Sequence, residues 1–392
     1  MGAGKAKAAL LPGLCLAAGI AMSAAAGDLP GPAGATLRPL AFSDIAGWAS
    51  DDHAAAFRAF RATCLPIVES RDELRRAKPA SSGLVAACRS ALALTEANAR
   101  AFFERAFAPF EVIPASGRGF LTGYYEPEVA GSRTTAPGFS WPIYARPTDL
   151  ATRGPDEPLA GIDPDLAAAR RTPTGFEPMP DRAAIEAGAL GGEAKPLLYV
   201  RDEVEAFFIH VQGSARIKLN DGSVARLAYA GRNGHAYTSV GRLLVTEFGL
   251  TPEDVTLEKL KAWLRAHPDE GRALMRRNRS FIFFRIADEL DPKDGPIGGA
   301  GAPLQPDRSL AVDRELWSYG LPVFIDADVP AEVDPAQRIA RLVIAQDTGS
   351  AIVGPARGDL FFGAGEEMGR RAGALRHAAR FIVLLPRADG AP

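Results

Sequence analysis

The chain has 392 residues, 47% of them hydrophobic and 23% charged, ordinary proportions for a folded protein with room for two or three domains. Its formal net charge of −2, with no basic run, excludes the electrostatic footprint of a nucleic-acid binder. The 31 prolines and 40 glycines favour a loop-rich, strand-rich fold over a helical bundle.

Residues 1–26 read as a cleaved export signal. Lys5 and Lys7 give the positive start, Ala8 to Met22 is apolar but short for a membrane span, and Ala24-Ala25-Ala26 offers a small-residue cleavage site. Leu14 precedes Cys15 where a lipid-attachment box expects a small residue, which argues against a lipid anchor. Export leaves Cys64 and Cys88, either joined in an oxidising compartment or buried as two thiols on neighbouring helices.

Ser50-Asp51-Asp52 caps a helix carrying Phe57, Phe60 and Cys64. A second starts at Thr95-Glu96 and aligns Ala99, Phe102, Phe103 and Ala106. Both are packing helices. Gly119 to Pro127 (GFLTGYYEP) is an aromatic strand, either an edge strand with two core tyrosines or a cleft wall able to stack on a sugar. From Val129 to Pro180 the chain becomes rich in Pro, Gly and Asp, the mark of an inserted domain.

Asp181 caps a short helix through Leu190, and Pro196–Val200 and Ala206–Gly213 read as strands. Ala215–Leu219 alternates into the hairpin turn Asn220-Asp221-Gly222 and returns as Ser223–Tyr229. The polar stretch Gly231–Tyr237 leads into a helix near Ser239–Phe248, and Thr256 caps another bearing Leu257, Leu260, Trp263 and Leu264. Beyond it, Asn278–Arg285 is a buried strand, Gly295–Gly301 a glycine turn, and Ser309–Asp313 places an aspartate at a strand end. Strands at Leu321–Asp326, Arg341–Gln346 and Arg380–Leu385, with a short helix in Gly363–Arg376, suggest a compact β-barrel.

The stretch Arg341–Gly365 organises the rest. An apolar strand runs into Asp347-Thr348-Gly349, with Gly349 free to take a positive φ, and Asp359 follows twelve positions later. A carboxylate held against packed apolar surface has a raised pKa, as a general acid needs. The plainer reading is that both aspartates serve turns.

Other chemistries find little support. His53, His210, His235, His267 and His377 show no close ligand pairing, so no metal is expected. Gln212-Gly213-Ser214 lacks the second glycine of a nucleophile elbow. Gly363–Gly369 misfits a dinucleotide fingerprint, and there is no P-loop. What survives is a set of carboxylates on β-scaffolding, Asp313, Asp347, Asp359 and Glu126. In an exported protein these point to glycosidic bond cleavage.

Several motifs carry a family resemblance: Gly119–Pro127, Val211-Gln212-Gly213-Ser214, Tyr229–Tyr237, Ser309–Asp313, and Asp347 to Ile352 through Asp359. In this order, over roughly residues 110 to 386, the chain resembles the membrane-bound lytic murein transglycosylase A family. The resemblance implies a mainly β fold, in which a double-psi β-barrel domain (27–127 and 281–392, with the N-terminal helices) holds an inserted smaller β-barrel domain (128–280). A glycan groove would lie between the two.

By motif position Asp359 matches the single catalytic acid/base, and Asp347 and Asp313 the supporting aspartates of a three-aspartate domain. Asp347 would raise the pKa of Asp359 by like-charge repulsion or orient the site through hydrogen bonds. Thr122, Tyr125, Glu126, Gln212, Tyr237 and Gly349 are the substrate-binding candidates, each with a structural role as the alternative.

The implied reaction cleaves the β-1,4 bond between N-acetylmuramic acid and N-acetylglucosamine and closes a 1,6-anhydro ring, with no cofactor. The rivals are a water-using hydrolase with Asp347 as general base and a non-catalytic peptidoglycan-binding module. Peptidoglycan glycan strands are the expected partner, with no nucleic acid. A periplasmic monomer associated with the outer membrane and with a cell-wall synthesis or division complex completes the expectation.

Overall fold

The computed structural model describes residues 1–2, 28–154, 157–193, 195–251, 255–291 and 293–387. The export-signal reading, residues 1–26, lies outside that set except for residues 1–2.

The N-terminal helices form as their caps dictate. Asp52 accepts from the Ala55 amide at 3.0 Å to start His53–Val68, and Ser81 caps Ser82–Leu92. After the single turn Glu96–Asn98, Ala99–Ala106 turns Phe102 and Phe103 inward. There they meet Phe57, Phe60 and Phe107 with ring centroids 5.2 to 6.1 Å apart, mostly edge to face. Cys64 and Cys88 join the first two helices as a disulfide across a separation of 24 residues, the first of the two alternatives. Closing a loop of that length restricts the unfolded chain. We predict that C64S/C88S lowers the unfolding free energy by about 3 kcal/mol, read from denaturant midpoints.

A nine-stranded sheet supplies the barrel. Arg376–Pro386, Pro322–Asp328, Arg338–Asp347, Ser309–Val312, Arg357–Ala364 and Gly119–Glu126 pair in that order, and the last pairs back onto the first. Phe107–Pro114, Ala35–Pro39 and Leu29–Pro30 extend it outward. Gly119–Glu126 is therefore no edge strand. It runs parallel to Arg357–Ala364 on one side and antiparallel to Arg376–Pro386 on the other. Leu310, Val323, Ala345, Phe381 and Val383 meet on one face of this sheet around a small enclosed space, while Phe324 on the opposite face packs against Trp48. The helix Glu366–Ala374 lies against Gly119–Glu126 so tightly that a Cβ on Gly369 would sit 2.8 Å from the Tyr125 ring.

The second sheet orders Ile282–Ile286, Val224–Arg232, Ala215–Leu219, Glu128–Ser132, Pro196–Val200 and Trp141–Tyr144. A parallel bridge from Ala145 to Phe284 draws its ends together. The expected hairpin is present, with Gly222 at φ 87° and Ala215–Leu219 antiparallel to Val224–Arg232. A third sheet, Leu150–Thr152, Ala168–Thr172 and Gly175–Pro178, lies in the Pro/Gly-rich stretch.

One predicted strand is a helix. Ala206–Gly213 belongs to Glu203–Gln212, started by Asp202 accepting from the Glu205 amide at 2.8 Å and ended by Gly213 at φ 80°. Its apolar run reads as a strand because both faces are buried. Ala206 and Ile209 face the second sheet, while Val204, Phe207 and Phe208 face Val240–Phe248, Leu257–Ala266 and Pro268–Arg277. The last of these helices was not predicted either. Gly349 is not at positive φ; later in the same loop Gly354 is, at φ 118°.

Candidate active site

Register brings the aspartates together. Ala311 pairs with Asp347 on the parallel side of its strand and with Asp359 on the antiparallel side, and Asp359 pairs with Thr122. Asp347, Ala311, Asp359 and Thr122 thus form one row across four adjacent strands. Two strand spacings separate the aspartate backbones, roughly 9–10 Å. Alanine between them leaves open volume, and a cleft of about 390 Å³ lies over the row.

Both sheets line that cleft. The barrel contributes Tyr124, Ala311, Asp347, Gly349 and Asp359, and the other wall contributes Gln212, Tyr229, Arg232 and Tyr237. Among the described lining residues only Asp347 and Asp359 carry carboxyl groups.

Their environments differ. Thr122 Oγ1 donates to Asp359 Oδ1 at 2.6 Å and accepts from Arg357 Nη2 at 2.8 Å. The hydroxyl's one proton is therefore aimed at Oδ1, and among the described residues no other side chain donates to this carboxyl group. Desolvation raises the Asp359 pKa; Arg357 and the Thr122 hydrogen bond oppose the rise, and Asp347 adds a smaller push upward. Like-charge repulsion is thus present but secondary to burial.

Asp347 is 8% exposed. Its Oδ1 accepts from the Gly299 amide at 2.8 Å and lies 3.9 Å from Arg75 Nη1, and its Oδ2 accepts from the Tyr124 hydroxyl at 3.1 Å. Burial beside two carboxylates pushes the Tyr124 phenol well up, so it stays a neutral donor.

Asp313 does not line the cleft. Its Oδ1 accepts from the Glu315 amide at 3.0 Å and its Oδ2 from the Gly354 amide at 2.7 Å. Those bonds tie down the loop that follows Asp347.

The binding candidates divide. Gln212, Tyr237 and Gly349 line the cleft, and Thr122 reaches it through Asp359. Gln212 Oε1 accepts from the Tyr125 amide at 3.1 Å, fastening the helix of the second wall to the barrel strand. Tyr125 and Glu126 are not among the lining residues. Tyr125 is 5% exposed beneath Glu366–Ala374, its phenol pushed up to about 12 mainly by burial. Glu126 is 1% exposed and takes Arg216 Nε at 2.7 Å and Arg226 Nη2 at 3.4 Å. Strand alternation explains Tyr125, since the face that presents Thr122 and Tyr124 along the cleft leaves it on the other side; Glu126 shares their parity but lies at the strand end, taken up by Arg216 and Arg226.

Sequence reasoning passed over Arg357, Arg75 and Tyr229. Arg357 stands two residues before Asp359 and was legible as its neighbour in the same strand face. Arg75 lies 273 residues from its acceptor Thr348, and nothing local signals that pairing. Among the described residues no group of three or more His, Cys, Asp or Glu is placed to hold a metal ion, and no helix is long and apolar enough to cross a membrane.

Two family models match, the MltA specific insert domain over residues 120–285 and the 3D domain over residues 308–385. The membrane-bound lytic murein transglycosylase A of Escherichia coli K12 is 34% identical over 272 residues, 67% of this chain and 65% of that protein. The match therefore spans somewhat less than two thirds of this curated relative. A crystal structure of a membrane-bound lytic murein transglycosylase from Agrobacterium tumefaciens superimposes with TM-score 0.81 at 38% identity, covering 90% of this chain and 98% of that one. The E. coli MltA with bound chitohexaose aligns at TM-score 0.63 and 26% identity, over 92% of this chain and 96% of that one. The chain belongs to the membrane-bound lytic murein transglycosylase A family.

Proposed function

We propose that this protein is a peptidoglycan lytic transglycosylase in which Asp359 is the single acid/base. The observation that carries the reading is the unequal pair of carboxyl groups in one cleft. Asp359 has a raised pKa and one oxygen uncommitted among the described residues, while Asp347 has both oxygens engaged. In this reading the barrel (27–127 and 281–392, of the double-psi type) and the inserted domain (128–280) hold a glycan strand in the groove between them.

Protonated Asp359 gives its proton to the oxygen of the β-1,4 bond between N-acetylmuramic acid and N-acetylglucosamine as C1 takes on oxocarbenium character. The resulting carboxylate removes the proton from the muramoyl 6-hydroxyl, whose oxygen attacks C1. The products are a glycan ending in 1,6-anhydro-N-acetylmuramic acid and a free N-acetylglucosamine end. Asp359 is left protonated again. Asp347 keeps a negative charge near the reacting centre and holds Tyr124, Asp313 fixes the 349–354 loop, and Gln212, Tyr237 and Gly349 contact sugar.

The membrane-bound relatives support an envelope location, and the export reading of residues 1–26 a periplasmic one. Glycan strands are the proposed partner. Chitohexaose bound to the E. coli relative supports an N-acetylated β-1,4 glycan as the ligand. The roughly 9–10 Å spacing of the aspartate backbones also suits a hydrolase with a water between its carboxyl groups, so product chemistry is the test. Mass spectrometry of digested peptidoglycan should show muropeptides one water lighter than reducing-end products. Reducing ends alone would make this chain a hydrolase.

A pH prediction follows. Asp359 must start protonated, so activity is lost as pH rises through its raised pKa. Thr122 donates to the carboxylate and favours the charged form. Thr122→Val therefore moves the falling, high-pH limb of kcat to higher pH. A limb that stays in place, or moves down, contradicts the assigned hydrogen bond.

A further inference from the structure

Arg75 comes from a part of the chain that neither family model matches, yet it lines the cleft. Its connection, residues 69–81, links the helices His53–Val68 and Ser82–Leu92, whose disulfide closes the base. The connection is pinned along its length. The Arg75 amide donates to Gly299 O at 3.1 Å, the Lys78 amide to Arg314 O at 2.8 Å, and Ser318 Oγ to Pro79 O at 2.8 Å. The Ala77 amide donates to Glu73 Oε2 at 2.6 Å. A segment held at so many points delivers its side chain to a defined place.

The Arg75 side chain touches both walls. On the barrel side, Nη1 donates to Thr348 O and stands 3.9 Å from Asp347 Oδ1. On the opposite side, the guanidinium lies over the Tyr229 ring, 4.3 Å from its centroid. Its Nη2 is 3.5 Å from where a Cβ on Gly213 would stand, so the helix end after Gln212 abuts it. Gly299 is gripped twice, its carbonyl by the Arg75 amide and its own amide by Asp347. A planar, permanently charged fork suits these simultaneous duties, and lysine cannot reproduce them.

We propose that Arg75 is a positioning residue, a tie from the N-terminal segment that fixes Asp347 and its following loop against the opposite wall of the cleft. The inference deepens the transglycosylase reading and rests on it for its kinetic consequence. Desolvation is the largest single influence on the guanidinium and disfavours its charge, but Asp347 with Tyr229, Tyr319 and Tyr124 together hold its pKa above the ordinary value. Without the tie, Asp347 keeps Gly299 and Tyr124 but loses its cation, and the two walls lose one of their contacts, keeping Gln212 on the Tyr125 amide and Arg232 on Ser350. Misplacement by about 1 Å is enough to lower turnover up to about 100-fold.

The test compares wild type, Arg75→Met and Arg75→Lys in two assays. Release of soluble fragments from purified peptidoglycan gives kcat and KM. Hydrogen exchange of amides in 347–354, set against the barrel strands, gives the local geometry without any turnover.

Arg75→Met should lower kcat by about 10- to 100-fold, leave barrel-strand exchange unchanged and speed exchange in 347–354. Arg75→Lys should fall between it and wild type. In an Asp347→Asn background the kcat effect of Arg75→Met should shrink to within about twofold, as for residues acting through one another. Unchanged exchange in 347–354 overturns the tie whatever the activity. An equal kcat loss with and without Asp347 overturns the route through that residue. Faster exchange of 347–354 in Arg75→Met, together with a wild type that cleaves no glycan, would support the tie and remove the transglycosylase reading beneath it.

Discussion

Asp359→Asn should lower kcat on peptidoglycan by about 10³- to 10⁴-fold while leaving the fold intact. General acid–base groups contribute about 10²- to 10⁴-fold, and the upper range applies if, as proposed, one group serves twice, as acid and then as base. Asparagine keeps the size and can still accept from Thr122 Oγ1, now 2.6 Å from Asp359 Oδ1, but it has no proton to transfer. The same variant tests the electrostatics.

The Asp359 pKa is raised in the folded state, so the folded chain favours the protonated form more than the unfolded chain does. The stabilising effect of that proton is complete below the ordinary aspartate value and disappears as pH rises through the raised one. Above that raised value the wild type holds a desolvated charge that the variant lacks. Asp359→Asn should therefore be at least as thermostable as wild type at pH 7, and its relative advantage should fade below pH 4. A variant that is much less stable at pH 7 would mean the carboxylate holds the fold together, and its loss of activity would say nothing about acid catalysis.

Glu126→Ala has the largest expected effect on stability, a loss of about 3–5 kcal/mol, measured by denaturant unfolding. Glu126 ends the barrel strand Gly119–Glu126, and its partners Arg216 and Arg226 sit on the second sheet's strands Ala215–Leu219 and Val224–Arg232. The carboxylate is 1% exposed and Arg226 is 6% exposed. Removing the anion leaves the buried Arg226 guanidinium beside its cross-strand neighbour Arg216, with the Asp291 carbonyl at 2.9 Å as its acceptor among the described residues. Glu126→Gln keeps the shape and one hydrogen bond but not the charge, and should lose a smaller part. A Glu126→Ala change costing under about 1 kcal/mol, the range of exposed pairs, would contradict the reading of Glu126 as the junction between the two sheets.

Much of the site was legible because the residues that carry it sit in strands with recognisable turn chemistry. Asp347 before Thr348-Gly349, and Asp359 within an apolar strand, announce themselves by being charged where their neighbours are not. The N-capping residues Asp52, Asp181, Ser239 and Thr256 marked helix starts that the structure contains.

What stayed hidden depends on partners far away in the chain. The row Asp347–Ala311–Asp359–Thr122 is a matter of register among strands joined by long connections, and no local pattern encodes it. Thr122 and Asp359 meet across 237 positions. Glu126 looked like a sugar ligand because its two arginines, 90 and 100 residues on, cannot be read as its neighbours. Ala206–Gly213 misled for a different reason. A helix buried on both faces loses its amphipathic period, and a short run of Val, Phe and Ile then looks like a strand. The Gly349 expectation failed, since the positive φ in this loop falls at Gly354, before the strand Arg357–Ala364.

The central claim is that one carboxyl group does the proton work while the nucleophile is internal to the glycan. Digestion of purified peptidoglycan in water enriched in oxygen-18, followed by mass spectrometry of the fragments, tests it most directly. The account predicts anhydro-ended fragments that carry no heavy oxygen, because water takes no part in the bond exchange. Reducing-end fragments carrying one oxygen-18 at C1 would show water as the nucleophile and contradict it.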